Sequence, residues 1–254
     1  MLGLLPGLLA QPASASSELT GKKVVVLGGS GFVGQRICEQ LVSKGASVVS
    51  LSRSGSPAQG AAWTAKVQWE RGDVLTADLA SILQGAEAAV SAIGAIGSSD
   101  DARGNGATNE AAAAAAAKAG VKQFVLLSAS QDVAAAGVDG IFGGYVEGKK
   151  RAEAAVSASF PGSNLILQPS FIYGGEEFSA TPPRVAAWYG EKIEGLLGSG
   201  LVRGVAGLSP AALRLALSPP LSVEDVAAAA VAGAAGLAKG VLPNHDAIVN
   251  AGKQ

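Results

Sequence analysis

From Lys22 onward, short apolar runs alternate with longer stretches in which apolar residues recur every three or four positions. Continuous apolar runs are typical of parallel strands covered on both faces, and the wider spacing is typical of amphipathic helices. The predicted strands are residues 23–27, 47–51, 67–70, 88–93, 123–128 and 164–168, and the predicted helices are residues 32–44, 109–119 and 145–157. This alternation predicts an α/β fold with a doubly wound parallel sheet.

The pattern continues without a break to about residue 170, so we predict a single domain over residues 21–254. Within it, residues 175–219 combine the pair Pro182-Pro183 and several glycines with apolar clusters, and we predict that they form a small substrate-side lobe. A second proline pair then precedes Ser222, which we predict to be the N-cap of an apolar helix.

The first 20 residues differ from the rest of the chain. Ten mostly apolar residues precede a stretch of small residues, and the first acidic residue is Glu18. The apolar part is too short to span a bilayer, and it lacks the basic residues with which targeting segments usually begin. Residues 1–20 are therefore interpreted either as a targeting segment or as a flexible terminus, and the fold prediction leaves them out.

The amino-acid composition excludes several classes of partner and of catalytic site. A hydrophobic content of 48% with 15% charged residues excludes a disordered chain, and a formal net charge of −1 argues against nucleic acid as a partner. Since the chain has one cysteine, Cys38, and one histidine, His245, we predict neither a disulfide nor a metal site. No segment is predicted to span a membrane, which leaves peripheral association open. Catalysis would have to use hydroxyls, carboxylates, lysines or a bound cofactor.

The stretch KVVVLGGSGFVG, residues 23–34, places three regularly spaced glycines directly after the first predicted strand. Gly28 would allow a tight turn, Gly31 the approach of a pyrophosphate, and Gly34 close packing of the following helix, whose N-terminus attracts phosphate. A tight turn without a ligand is the alternative, but the strand and helix on either side favour dinucleotide binding. The residues expected to contact the cofactor here are Gly28, Gly29, Ser30, Gly31, Phe32, Val33 and Gly34.

The end of the second predicted strand reads Leu51-Ser52-Arg53-Ser54 and contains no acid. A carboxylate there would favour NAD, whereas Arg53 would accept the 2′-phosphate of NADP, with hydroxyls of Ser52 and Ser54 as donors. A solvated loop arginine is the alternative, and we predict NADP(H) as the preferred cofactor with NAD(H) left open. Further contacts are expected after the third and fourth strands, from Asp73, Val74, Ala92, Ile93 and Gly94.

These motifs together resemble the short-chain dehydrogenase/reductase superfamily, whose members have a Rossmann fold. The resemblance runs from about residue 22 to residue 233 and rests on the glycine spacing, Asn105-Gly106-x-Thr108-Asn109, GVKQFVLLSAS, Tyr145-x-x-x-Lys149 and LILQPSFIYG. Within the superfamily, the chain is similar to an atypical branch. That branch includes the NADPH-binding accessory subunit of respiratory complex I, plant chloroplast proteins of plastoglobules and a yeast mitochondrial protein associated with coenzyme Q synthesis. The resemblance implies that Asn109, Pro169 and Phe171 also line the cofactor. It further implies an organellar location, with the chloroplast (thylakoid or plastoglobule) ahead of the mitochondrion.

Tyr145 and Lys149 lie four residues apart and would share one helix face. A lysine ammonium stabilises a phenolate, so we expect Lys149 to lower the pKa of Tyr145 from about 10 toward neutrality. Tyr145 would then exchange a proton with a carbonyl oxygen while NADPH delivers hydride, and Lys149 would also bind the nicotinamide ribose. The family's third catalytic member is a serine or threonine, for which Ser128 and Ser130 are both candidates. Neither lies at the family's commonest spacing from Tyr145, and ordinary strand-end hydroxyls that bond the loop backbone are the alternative.

A second departure from the family pattern lies in the LILQPSFIYG segment. Relatives commonly carry arginine before the proline of the LILQPSFIYG segment, whereas this chain carries Gln168. The substitution removes a charge that we expect to belong to a structural ion pair.

Two functional hypotheses follow. The first is an NADP(H)-dependent oxidoreductase acting on a small hydrophobic carbonyl or quinone-like substrate, which the apolar residues 185–218 suit. The alternative is a non-catalytic, NADPH-bound structural or assembly subunit of an organellar membrane complex. An epimerase using tightly held NAD is disfavoured by Arg53.

Overall fold

The structure is a computed structural model that describes residues 15–57, 61–95, 100–132, 139–174 and 218–254. Its strands are β1 (Lys23–Leu27), β2 (Ser47–Ser52), β3 (Val67–Arg71), β4 (Ala88–Ser91), β5 (Gln123–Leu127), β6 (Asn164–Leu167), β7 (Ile172–Tyr173), β8 (Leu221–Ser222) and β9 (Gly240–Leu242). Its helices are α1 (Ala15–Leu19), α2 (Phe32–Ser43), α3 (Leu79–Leu83), α4 (Thr108–Lys118), α5 (Asp139–Ser159), α6 (Val223–Ala234) and α7 (His245–Gly252). A 3₁₀ turn covers Ala62–Lys66, and a wide π-type turn covers Arg103–Ala107.

Seven strands form one parallel sheet in the order β3-β2-β1-β4-β5-β6-β9, while β7 and β8 form a separate parallel pair. The predicted doubly wound parallel sheet is therefore confirmed. The direction of winding reverses between β1 and β4, and a crevice opens at the carboxyl ends of strands at such a point.

Alternate residues of each strand feed two cores, one on each side of the sheet. Val24 and Val26 of β1 belong to the core that includes α2, α6 and α7, whereas Val25 and Leu27 belong to the core that includes α3, α4 and α5. The alanine run of α4 contributes small buried side chains, which let this helix lie close to the sheet. Both faces are covered, as the continuous apolar strands predicted.

Several element boundaries differ from the prediction. β4 ends at Ser91 rather than at residue 93, because the chain turns there to line the crevice described below. α5 begins at Asp139, well before the predicted start at residue 145, although its glycines have a low helix propensity. The three-residue strand β9 is too short to stand out as an apolar run and was not predicted.

The two predicted terminal features have different outcomes. Leu19 of α1 is fully buried in the core, so residues 15–20 belong to the fold although the predicted N-terminal segment extended to residue 20. Residues 1–14, and residues 175–217 of the predicted substrate-side lobe, lie outside the described residues. Ser222 caps α6 as predicted, since its side-chain oxygen accepts from the Asp225 amide at 3.0 Å.

Within the described ranges, no helix has both the length and the apolar character needed to cross a bilayer. The same ranges contain no cluster of three or more His, Cys, Asp or Glu side chains arranged to hold a metal ion.

Candidate functional site

The turn between β1 and α2 has the geometry that its glycines predict. Gly28 has a φ of +86°, which favours glycine, and its amide donates to the Leu51 carbonyl at 2.8 Å. A Cβ atom at Gly34 would lie only 2.2 Å from the Gly28 carbonyl oxygen. Only a hydrogen atom fits there, so α2 begins close against the end of β1. Among the described residues, no side-chain oxygen caps this helix, so the N–H groups of its first turn are available to water or to a ligand.

A crevice of about 690 Å³ opens beside this turn. Its volume lies within the range of small-molecule and cofactor sites. The predicted cofactor residues that line it are Gly28, Ser30, Gly31, Ser52, Arg53, Ser54, Asp73, Val74, Ala92, Ile93 and Gly94. Four separate strand ends thus bring these residues to one place.

The end of β2 presents hydroxyls and a cation to the crevice. Ser30 Oγ lies 2.8 Å from Ser52 Oγ and 2.7 Å from Ser54 Oγ, and Ser52 Oγ donates to the Gly55 carbonyl. Arg53 lines the crevice between these serines. Asp73, on the neighbouring strand end, uses its carboxylate to accept from the Leu75 amide at 2.9 Å, which closes a local turn.

The opposite wall was only partly predicted. Asp100, Arg103, Gly104 and Thr108 line the crevice but were not proposed as site residues, and Arg103 pairs with Asp100 at 3.3 Å. The Asn105-Gly106 motif marks this segment in the sequence. The motif alone does not indicate that the wide turn places Arg103 at the crevice.

Other predicted cofactor residues do not line the crevice: Gly29, Phe32, Val33, Gly34, Asn109, Lys149, Pro169 and Phe171. Asn109 is fully buried, accepts from Ser91 Oγ and donates to the Asn105 carbonyl at 2.7 Å. It therefore fixes α4 to the end of β4. Pro169 is also buried, and its carbonyl accepts from the Ser130 amide at 2.9 Å.

Lys149 lies on α5 and is 5% exposed. Its Nζ donates to the Leu127 carbonyl at 2.8 Å, at the end of β5, and to the Ile93 carbonyl at 3.0 Å, two residues after the end of β4. Burial lowers the pKa of Lys149 to about 8, and the negative charge of Glu153 opposes this shift. The ammonium lies 5.7 Å from the centre of the Tyr145 ring, so the predicted shared face is present.

The predicted effect of Lys149 on Tyr145 is wrong. Burial raises the pKa of Tyr145 to about 12, and the nearby Asp101 carboxylate raises it further. The phenol therefore stays protonated at neutral pH. Desolvation of the phenolate outweighs the lysine, whose donors are directed at backbone carbonyls.

A second cavity of about 410 Å³ lies at the end of β5. It is lined by Ala129, Ser130, Gln131, Val146, Lys149, Lys150 and Glu153. The two candidate serines differ here, since Ser128 Oγ donates to Glu153, whereas Ser130 Oγ accepts from the Asp132 amide at 3.2 Å. Ser130 thus keeps its own hydroxyl hydrogen for another acceptor.

Gln168 stands where the family pattern has an arginine, so we expected a structural ion pair to be missing at this position. It is 1% exposed, and its Nε2 donates to Glu153 Oε1 at 2.9 Å. A neutral donor to the Glu153 carboxylate therefore stands where the family pattern implies an arginine.

Comparison with known proteins agrees with this geometry. The family described as NAD(P)H-binding matches residues 28–183. An uncharacterised chloroplastic protein of Arabidopsis thaliana is 35% identical over 232 residues, which cover 90% of this chain and 77% of that protein. The UDP-N-acetylglucosamine 4-epimerase of Methanobrevibacter ruminantium superposes with a TM-score of 0.61 at 17% identity, over 88% of this chain and 76% of that one. A Bordetella bronchiseptica enzyme solved with NAD⁺ superposes with a TM-score of 0.58 at 18% identity, over 87% and 74% of the two chains. At these identities the solved structures show the fold alone.

Proposed function

Because this chain belongs to the NAD(P)H-binding family, we propose that it is an oxidoreductase of the short-chain dehydrogenase/reductase type that prefers NADP(H). Its substrate would be a small hydrophobic carbonyl or quinone-like compound. The observation that carries the proposal is the position of Lys149. Its ammonium donates to the Ile93 carbonyl, Ile93 lines the crevice, and Lys149 itself lines the second cavity. A cofactor in the first space and a substrate in the second would meet beside this side chain.

The crevice fits a dinucleotide. The space at Gly34 excludes any side chain, and the uncapped start of α2 would receive the pyrophosphate. Arg53, flanked by the hydroxyls of Ser52 and Ser54, would receive a 2′-phosphate. When bound, the nicotinamide supplies or accepts a hydride.

The proposed NADP preference is tested by calorimetry with NADPH and NADH. Arg53→Gln should weaken NADPH binding by about 10- to 100-fold, the value of a charged hydrogen bond, and should leave NADH binding unchanged. Arg36→Gln is the matched control, since Arg36 pairs with Glu39 and Glu224 and does not line the crevice. Equal loss for both nucleotides would contradict the preference.

In the second cavity, Ser130 rather than Ser128 is proposed to bind the substrate oxygen, because Ser128 already donates to Glu153. Tyr145, which keeps its proton at neutral pH, would donate that proton to the oxygen as a carbonyl is reduced. Lys149 holds its positive charge next to this phenol.

The activity is tested by following oxidation of bound NADPH with a panel of quinones and lipophilic aldehydes. Tyr145→Phe should lower turnover by about 10²- to 10⁴-fold, the usual contribution of a general acid. Ser130→Ala should lower turnover while Ser128→Ala keeps it. A wild-type protein that binds NADPH but oxidises it with none of these compounds would overturn the oxidoreductase proposal.

A non-catalytic role is the second candidate, and the raised pKa of Tyr145 favours it because an activated tyrosine would show the opposite shift. In this role NADPH is a stabilising ligand of a structural or assembly subunit of an organellar membrane complex. The resemblance to the complex I accessory-subunit branch supports it. Under this proposal, wild type and Tyr145→Phe bind NADPH equally and neither turns over.

We place the protein in a plastid, because its Arabidopsis relative is described as chloroplastic. A thylakoid or plastoglobule position is the finer proposal, and the mitochondrion is the alternative. Imaging of a fluorescent fusion to the complete protein, followed by fractionation of the organelle, tests both levels.

A further inference from the structure

Glu153 joins three elements of the site. Its Oε1 atom accepts hydrogen bonds from Ser128 Oγ, at the end of β5, and from Gln168 Nε2, at the end of β6. Ser128 is 4% exposed and Gln168 is 1% exposed, so the two donors reach the carboxylate from the interior. One carboxylate on α5 therefore fixes the carboxyl ends of two adjacent strands.

The charge of this carboxylate acts on Lys149. The two residues lie one helical turn apart on α5 and both line the second cavity. Gln168 donates a hydrogen bond to Glu153 but is neutral, so it adds no positive charge beside this carboxylate. The lysine ammonium and the glutamate carboxylate thus face the same space.

The surroundings of Lys149 show why the negative charge of Glu153 affects its protonation. Among the described residues, the hydrogen-bond acceptors of its Nζ are the backbone carbonyls of Ile93, just after β4, and of Leu127, at the end of β5. On α5 itself the titratable neighbours are Tyr145, Lys150 and Glu153, and Asp101 acts on Tyr145 from the adjoining segment. Burial lowers the pKa of Lys149, and Glu153 is the group that raises it.

We propose that Glu153 is a positioning residue of this site. Its carboxylate holds the Leu127–Ser128 end of β5 against Lys149, and its charge keeps Lys149 an ammonium ion. This inference rests on the proposed function for its meaning in catalysis. The charge coupling itself is a property of the protein without cofactor, so the two can fail separately.

The direct test is an NMR titration of the side-chain ¹⁵Nζ of Lys149 in the cofactor-free full chain, with Lys149→Arg used for assignment. Glu153→Gln keeps the hydrogen-bond acceptor and removes the charge, so it should lower the pKa of Lys149 by about one unit, the smaller end of the effect of a close opposite charge. Glu147→Gln is the matched control, since Glu147 lies on the same helix and is exposed. An unchanged pKa in Glu153→Gln overturns the proposal.

A second measurement separates positioning from a merely structural role. NADPH affinity is measured against pH for wild type and Glu153→Gln. NADPH affinity should be lost at high pH, and the pH at the midpoint of this loss should be about one unit lower in Glu153→Gln than in wild type. Well below the pKa of Lys149, the two proteins should bind NADPH within about twofold of each other. Equal weakening at every pH would mean that Glu153 only supports the fold. If NADPH fails to bind to wild type, the proposed function fails, and the titration still decides the role of Glu153.

Discussion

Gly34 carries only a hydrogen atom where any other residue would place a carbon 2.2 Å from the Gly28 carbonyl oxygen. Gly34→Ala must therefore push α2 away from β1 and move the amides that would hold phosphate. We expect a loss of about 1–3 kcal/mol of stability, as for other overpacked positions, and at least about tenfold weaker NADPH binding. Urea unfolding and calorimetry measure the two effects.

Gly120→Ala is the control for this substitution. Gly120 has a φ of +76° but nothing within 4 Å of an added Cβ, so the change costs backbone strain only. It should lower stability without changing NADPH affinity. If Gly34→Ala and Gly120→Ala had the same effect on binding, close packing of α2 would not be the reason for the glycine.

Cys38 gives a pH-dependent prediction. Burial on α2 raises the pKa of its thiol from 9.0 to about 12, so the unfolded chain releases this proton at lower pH than the folded protein does. The contribution of Cys38 to stability therefore falls as pH rises from about 9 to 12, with a limiting slope of about 1.4 kcal/mol per pH unit.

Lys149 has the opposite sign, because its pKa is lowered from 10.5 to about 8 and its burial cost is relieved as pH rises through this window. The quantity to measure is therefore the difference in urea stability between wild type and Cys38→Ala at pH values on either side of 9.0. We expect Cys38→Ala to lose less stability on moving to the higher pH. A constant difference would show that the thiol titrates alike in both states.

For individual residues, the sequence predicts the features that depend on spacing along the chain. It does not predict the features that depend on contacts between residues far apart in the chain. The glycine turn and Arg53 follow from their positions relative to strand ends, and both lie at the crevice. The pKa of Tyr145 depends on burial and on Asp101, which is far away along the chain. The different partners of Ser128 and Ser130 likewise depend on where α5 places Glu153.

Among the helices, α6 offers the clearest test of a local interaction. Ser222 accepts from the Asp225 amide, which satisfies one of the unpaired donors at the helix start. Ser222→Ala should cost about 1 kcal/mol in urea unfolding, whereas Ser222→Thr, which keeps the hydroxyl, should retain most of the stability. Equal losses in both variants would point to packing of β8 rather than to capping.

Strands and helices with strong patterns could be predicted, and those defined by packing could not. β1 was predicted at both ends because an apolar run is bounded by lysine and glycine. The early start of α5 lies in a glycine-rich stretch with weak helix preference, and the short strand β9 depends on its pairing with β6.

For the molecule as a whole, a ligand that binds only the folded state raises stability by mass action. At a concentration of NADPH one hundred times its Kd, we expect about 2.7 kcal/mol of stabilisation, which corresponds to an increase in Tm of roughly 5–10 °C for a chain of this size. Differential scanning calorimetry measures it. NADH at the same concentration should give a smaller increase. No increase with either nucleotide would mean that the crevice does not bind a dinucleotide.

The doubly wound parallel sheet could be predicted from the alternation of apolar runs and helical patterns, whereas the strand order that places the crevice at the winding reversal comes from the structure. The inclusion of Leu19 in the core could not, because a five-residue helix has little periodicity to detect. Leu19 is buried only because α6 and the sheet pack around it in the complete fold.

The last strand of the sheet comes from residues close to the C-terminus. β9 pairs with β6, and the Gln168 amide donates to the Leu242 carbonyl at 3.0 Å. During synthesis on the ribosome, β6 therefore lacks its native neighbour on this edge until residues 240–242 have emerged. Open strand edges are templates for pairing with other chains. A nascent chain interrupted before β9 would thus be exposed to aggregation at the same edge that carries Gln168.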